Sequence, residues 1–303
     1  MGKIAFVFAG QGSQYPGMGK EIYDNSEAGR KVFETADCVR SGISDMCFNG
    51  SKEDLSVTIN TQPALFAVDL ACAKALEEKG ISPDAVAGFS LGEIPALTFA
   101  GAFSIEDGFK LVVKRAELMH AASINNPGAM AAVLKLENSA VEELCEKTGG
   151  VYPVNYNCGG QLVCAGTKES IDKLVEEVSV LKGRAMPLAV SGAFHCPHMD
   201  SAAEGMSEYL ENKEMSDLTV PVYANVTALP YTGKELISKQ INNSVKWQQT
   251  VENMINDGFD TFIEVGAGKT LAGLIKKISR EVKIYNVQTY EDAIAVSDEL
   301  KGE

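Results

Sequence analysis

Apolar residues follow two rhythms along this 303-residue chain. Short unbroken runs, KIAFVFAG (3–10), AVAG (85–88) and TFIEVG (261–266), show no polar alternation, and each closes on glycine. Runs of this kind are strands covered on both faces, the habit of a parallel sheet. VPVYANV (220–226) reads as a further strand. Between them lie helical patterns, TQPALFAVDLACAKALEEKG (61–80) and SIEDGFKLVVKRAELMHAAS (104–123). The second opens on Ser104 with an acid three residues on, a variant of the capping box. Strand alternating with helix predicts an α/β sheet.

The middle of the chain changes rhythm. AMAAVLKL (129–136) is followed by helical SAVEELCEK (139–147), strands near 151–156 and 161–165 around NCGG, helical KESIDKLVEEVSVL (168–181), and RAMPLAV (184–190). That order, β-α-β-β-α-β, is a ferredoxin-like unit. NNPG (125–128) and SGAFH (191–195) read as its linkers. The expected organisation is therefore a mainly parallel sheet domain over 1–124 and 192–303, interrupted by a small subdomain over 125–191.

Composition narrows the function. Twenty-seven basic against 41 acidic residues give a net charge of -14, which argues against nucleic acid or an anionic membrane as a partner. Seven cysteines without a CxxC pair, and three histidines without zinc spacing, argue against a disulfide framework or a structural metal and point to a reducing cytosol. The first apolar run turns polar at Gln11 without a cleavage signature, so it is a buried strand and not a signal peptide. Ile94 to Ile105 is too short to span a bilayer and is broken by Pro95 and Gly101.

Two glycine-rich stretches imitate nucleotide loops. GQGSQYPGMG (10–19) lacks the GxGxxG spacing and has Met18 where a P-loop needs lysine; GAGKT (266–270) has Ile263 at the position of the first P-loop glycine. Both read as tight turns after strands. GFSLGE (88–93) is different, because its G-x-S-x-G stands between a strand and a helix. A small residue in a helix-capping turn would look the same. A nucleophile elbow, however, would set Ser90 at a helix N-terminus that favours a developing anion. The amide of Leu91 would then be one oxyanion-hole donor, and Gln11, just past the first strand, the natural second. Serine needs a base. His120 reads as a helix residue. His195 falls before the helix start marked by Pro197, and His198 inside it, so a loop position favours His195. No acid between Ser90 and His195 announces itself, which leaves a dyad whose imidazole is oriented by another acceptor.

GQGSQ, GFSLGE, KRAELM, PVNYN, GAFHCPHM, VKW and EVGAGKTLAGL, in this order from the first strand to the last helix, resemble the malonyl-CoA:acyl carrier protein transacylases. The resemblance implies a hydrolase-like α/β domain with a ferredoxin-like insertion. It implies that Ser90 is acylated, that His195 is its base, and that the amides of Gln11 and Leu91 hold the oxyanion. Arg115 would grip the malonyl carboxylate, where the residues alone would read a helix-surface charge. Phe194 would crowd the substrate's α-carbon, and Met119, Asn155 and Asn157 would line the pocket. The backbone carbonyl of Lys246 would orient the histidine. The partners implied are malonyl-CoA and acyl carrier protein, with no cofactor beyond the thioester substrate and no metal. Phe89 stands where the family usually has histidine, and Cys196 and His198 where serine and leucine are common, which makes His198 a rival base. A serine hydrolase or thioesterase of the same architecture, or a polyketide acyltransferase, is the alternative. An acidic carrier would need a basic island, for which Lys276, Lys277, Arg280, Lys283 and Lys269 are the candidates.

Overall fold

The computed structural model describes residues 2–190 and 192–302, so the expected subdomain end at Ser191 lies outside the described residues. The chain folds into two compact units. One holds Met1–Ala116, Glu214–Ala224 and Asn253–Glu303, and the other holds Glu117–Lys213 and Asn225–Glu252.

The first unit is built on five parallel strands. They are β1 (Lys3–Phe8), β2 (Ala85–Gly88), β7 (Val222–Tyr223), β8 (Phe259–Val265) and β9 (Lys283–Val287), in the order β7-β2-β1-β8-β9. The three glycine-closed runs form the sheet's centre, and β1 is buried from Ile4 to Phe8. The run at 220–226 is shorter than its apolar pattern predicts, pairing only at Val222 and Tyr223. The edge strand β9 lacks an apolar signature because three of its five residues are only half-buried.

The helix Thr58–Glu78 is buried along most of its length, including Gln62 and Asp69. Its Pro63 has no N–H to give to the carbonyl of Ile59, one turn back. Arg40 supplies the missing donor, its Nη1 lying 2.6 Å from that oxygen. The helix therefore continues through proline with its backbone satisfied, and Gln62 is held rigidly inside the unit. The helix Ile105–Asn125 begins as its capping pattern predicts, the amide of Asp107 donating to Ser104 Oγ at 3.0 Å.

The second unit contains an antiparallel sheet of β3 (Ala129–Leu134), β4 (Val151–Cys158), β5 (Gln161–Gly166) and β6 (Arg184–Pro187), in the order β4-β5-β3-β6. The helices Asn138–Thr148 and Lys168–Val180 join these strands in the ferredoxin-like order. They close a core that includes Val133, Leu144, Leu162 and Leu174. The fold is thus α/β, a hydrolase-like parallel sheet with a ferredoxin-like insertion. Among the described residues no helix is long and apolar enough to cross a membrane.

Candidate active site

In the first unit, β2 ends at Gly88 and the chain turns through Phe89 into a 3-10 turn, Ser90–Gly92, and then the helix Glu93–Phe99. Ser90 has φ 54°, the left-handed region that costs a side-chain-bearing residue energy. Two glycines make the turn possible. A Cβ on Gly88 would overlap the backbone of Gly92, and one on Gly92 would overlap the carbonyls of Phe8 and Ala9. This is the strained strand-to-helix geometry that a nucleophile elbow requires.

The loop after β1 lies against the same turn. Phe89 N–H donates to Phe8 O at 3.0 Å, and a Cβ on Gly10 would meet Phe89 Cδ1 at 2.8 Å. Gln11 follows directly, its side chain donating to Thr58 Oγ1 at 3.4 Å, while Ser13 Oγ donates to Gly10 O at 2.6 Å. Parallel neighbours end on one side of the sheet, so Gln11 and Leu91 both stand at strand carboxyl ends. Leu91 is fully buried at the start of the elbow helix, where backbone amides face outward along the dipole.

Arg115 is fully buried. That overturns the surface-charge reading. Its Nη1 donates to Gln62 Oε1 at 2.7 Å, and its Nη2 donates to Ser90 Oγ at 3.2 Å. Gln62, buried on the helix Thr58–Glu78, belongs to this cluster, although no motif in the sequence singles it out. A polar residue within an otherwise apolar helical run, next to a proline, is its only signal.

In the second unit, His195 is buried and also has a left-handed backbone, φ 63°. The helix Glu235–Asn242 holds it twice: His195 N–H donates to Ile241 O at 3.2 Å, and His195 Nδ1 lies 2.8 Å from Gln240 O. A carbonyl only accepts, so Nδ1 carries the proton and the ring's basic lone pair is on Nε2. The last carbonyls of a helix have no intrahelical partner and sit at its negative end. They therefore fix the ring in place.

The orienting carbonyl is that of Gln240, which corrects the assignment to Lys246. Lys246 O is already engaged, accepting from Thr250 N and Thr250 Oγ1, both at 2.9 Å, in the first turn of the helix Trp247–Asn256. His198 lies in the 3-10 turn Pro197–Met199, and its Nδ1 is buried without a hydrogen-bond partner. It lacks an orienting acceptor of the kind His195 has. Cys196 donates to Ala193 O at 3.3 Å, and burial pushes its thiol up to about 11, so it is a poor rival nucleophile.

Phe194 is buried beside Gly192, and Met119 is buried on the helix Ile105–Asn125. Asn155 and Asn157 stand on β4, each with a buried side-chain oxygen that has no hydrogen-bond partner. His120 is half-buried on the same helix as Met119, in keeping with a plain helix position.

A parallel α/β sheet carrying a serine on a strained strand-to-helix turn is the frame of a class of enzymes that pass acyl groups through a serine ester. The acyl transferase domain model matches residues 5–294. A malonyl CoA-acyl carrier protein transacylase of Bacillus subtilis is 40% identical over all of this chain and 99% of its own length. One from Staphylococcus aureus is 41% identical over 96% of this chain and 97% of its own length. The solved transacylase of Clostridium perfringens superposes with a TM-score of 0.95 at 37% identity, covering 99% of this chain and 98% of that one. A malonyl-transacylase solved in complex with its type II PKS acyl-carrier protein superposes with a TM-score of 0.94 at 32% identity, covering 98% and 99%. The chain belongs to the malonyl CoA-acyl carrier protein transacylase family.

Proposed function

We propose that this chain carries out its family's reaction, moving the malonyl group from malonyl-CoA to the phosphopantetheine thiol of acyl carrier protein and so supplying extender units for fatty acid synthesis. The observation that carries this reading is the Arg115 guanidinium, buried, anchored by Gln62 and 3.2 Å from Ser90 Oγ. A desolvated cation beside the nucleophile fits an acyl group that bears its own carboxylate.

In the proposed mechanism Ser90 Oγ attacks the thioester carbonyl and His195 Nε2 takes its proton. The amides of Gln11 and Leu91 hold the oxyanion. The CoA sulfur departs with the proton that His195 returns, leaving malonyl-Ser90. The carrier thiol then enters by the reverse sequence, and the kinetics are ping-pong. The arginine donates to Ser90 Oγ, so that oxygen's own proton stays available to the base. The buried amide oxygens of Asn155 and Asn157 are acceptors for pantetheine or acyl donors. No cofactor enters these steps, since the thioester itself supplies the driving force. We place the reaction in the cytosol, in keeping with seven unbridged cysteines.

Intact-mass analysis after incubation with malonyl-CoA tests the reading. The expected result is a single malonyl adduct that Ser90→Ala abolishes and that holo carrier protein discharges as malonyl-carrier. Release of free malonate in place of transfer would identify a hydrolase.

A further inference from the structure

Three of the six buried thiols donate to carbonyls. Cys47 donates to Ala64 O, Cys72 to Gln288 O and Cys196 to Ala193 O, and burial pushes all three up. Cys145 and Cys164 differ. Their sulfurs face one another 3.5 Å apart inside the ferredoxin-like core, Cys145 in the last turn of the helix Asn138–Thr148 and Cys164 in the middle of β5. Both are buried and both are reduced.

The pair is also reachable. Cys145 lines a cavity of about 480 Å³ together with Glu142, Glu146, Tyr152, Pro153 and Tyr156, wide enough to admit a small oxidant. Cys164 lies one layer deeper, paired across the sheet with Ala131 and Pro153. The hydrogen bond with Cys164 pulls the Cys145 thiol below its ordinary range, and the same bond and burial push Cys164 up. Cys145 is the sulfur beside the cavity, and Cys164 is the inner one. That division suits an attacking thiol with a resolving partner.

We propose that Cys145 and Cys164 form a reversible redox modification site, which a peroxide converts to a disulfide that staples the helix Asn138–Thr148 to β5. Cys145 sulfur attacks one peroxide oxygen and the O–O bond breaks. The departing hydroxide takes up the former Cys145 proton and leaves as water, so Cys145 becomes a sulfenic acid. Cys164 sulfur then attacks the sulfenyl sulfur. The S–S bond forms, and the hydroxyl leaves as a second water with the Cys164 proton. Two thiols are oxidised by two electrons, and one hydrogen peroxide is reduced to two waters. The cross-link encloses β4, with Asn155 and Asn157, in a covalent loop. Oxidation of this core therefore reaches the strand that carries two of the proposed pocket residues.

The test uses the full chain with its exposed thiol removed, Cys38→Ser, so that oxidation at the surface does not obscure the pair. Treatment with hydrogen peroxide should remove two titratable thiols and lower the intact mass by about 2 Da, and dithiothreitol should reverse both changes. Peptide mapping should give one cross-link, Cys145 to Cys164. Cys145→Ser and Cys164→Ser should each abolish the mass loss. The map is read on protein that retains both cysteines, so it decides the question even where a serine variant folds poorly. A cross-link between other cysteines, or peroxide that only adds oxygen without forming a bridge, overturns the proposal.

Discussion

A guanidinium without exposed surface, bonded to an uncharged amide and to the serine oxygen, keeps its charge after losing its water. An acyl carboxylate entering beside it recovers an interaction that solvent no longer provides. Removing the arginine leaves that carboxylate unpaired, at a cost of about 2–5 kcal/mol in the transition state. Arg115→Ala is therefore expected to lower malonyl kcat/KM by about 30-fold or more, while acetyl-CoA, which has no carboxylate, loses little. Gln62→Ala removes one charge-assisted hydrogen bond, about 1.5–3 kcal/mol, and should weaken malonyl selectivity by roughly tenfold or more in the same direction. Competition between malonyl- and acetyl-CoA measures both. An unchanged ratio in Arg115→Ala would place the carboxylate elsewhere. The two histidines separate by a similar argument. Only His195 has a carbonyl fixing its tautomer, so His195→Ala should slow formation of the malonyl-enzyme by several orders of magnitude, and His198→Ala should leave it near the parent rate. Rapid-quench acylation decides between them. The reverse pattern would transfer the role of base to His198.

Two helices act through their ends. In the proposed mechanism the C-terminal carbonyls of Glu235–Asn242 do for His195 what a carboxylate does in a triad, without adding a buried charge. The helix Thr270–Ile278 presents its last turn differently. Lys269, Lys276, Lys277 and Arg280 line a groove of about 1050 Å³ floored by Ala272, Val282 and Ile284. Lys283 does not line it, because the helix stops at Ile278 and Lys283 opens β9. On a chain of net charge -14 this is a local reversal of sign, and we propose it as the surface that receives an acidic carrier protein. Lys276→Glu combined with Lys277→Glu should raise KM for the carrier several-fold and leave KM for malonyl-CoA nearly unchanged. Steady-state kinetics at low ionic strength, where such contacts are least screened, give the readout. Carrier kinetics equal to the parent's would remove the groove from the docking surface.

Beneath that helix lies a pair of buried acids, Glu264 and Asp69, which tie stability to pH. Burial raises Glu264 from 4.5 to about 7, against the pull of the Ala272, Leu271 and Thr270 amides and of Lys269. Asp69 is raised well above its ordinary value, first by burial and further by the charge of Glu264. Between the ordinary carboxylate range and about pH 7 the folded chain thus binds more protons than the unfolded one. Stability must then fall as pH rises through this window, by up to about 1.4 kcal/mol per pH unit for each such group. Urea unfolding at several pH values from 5 to 8 should show this decline. In Glu264→Gln the slope should be shallower, although the baseline stability is lower because one acceptor for the helix amides is lost. A slope equal to the parent's would show that Glu264 does not titrate in this range.

Properties carried by neighbours in sequence are legible in the amino-acid order alone. The glycine-closed apolar runs are β1, β2 and β8, and the order of elements in the middle of the chain is that of the ferredoxin-like sheet, because period and punctuation are local. The serine turn is legible for the same reason, since its left-handed Ser90 and the close approach of Gly88 to Gly92 lie within five residues, 88–92. What depends on distant partners is not. Arg115 reads by residue type as a helix-surface charge, and the helix Thr58–Glu78, bringing Gln62 across 53 positions, gives it a buried anchor. The carbonyl that orients His195 belongs to Gln240, 45 positions away. Backbone carbonyls are alike at every residue, so no side-chain pattern singles this one out; the end of a helix does, by leaving that oxygen without an intrahelical donor.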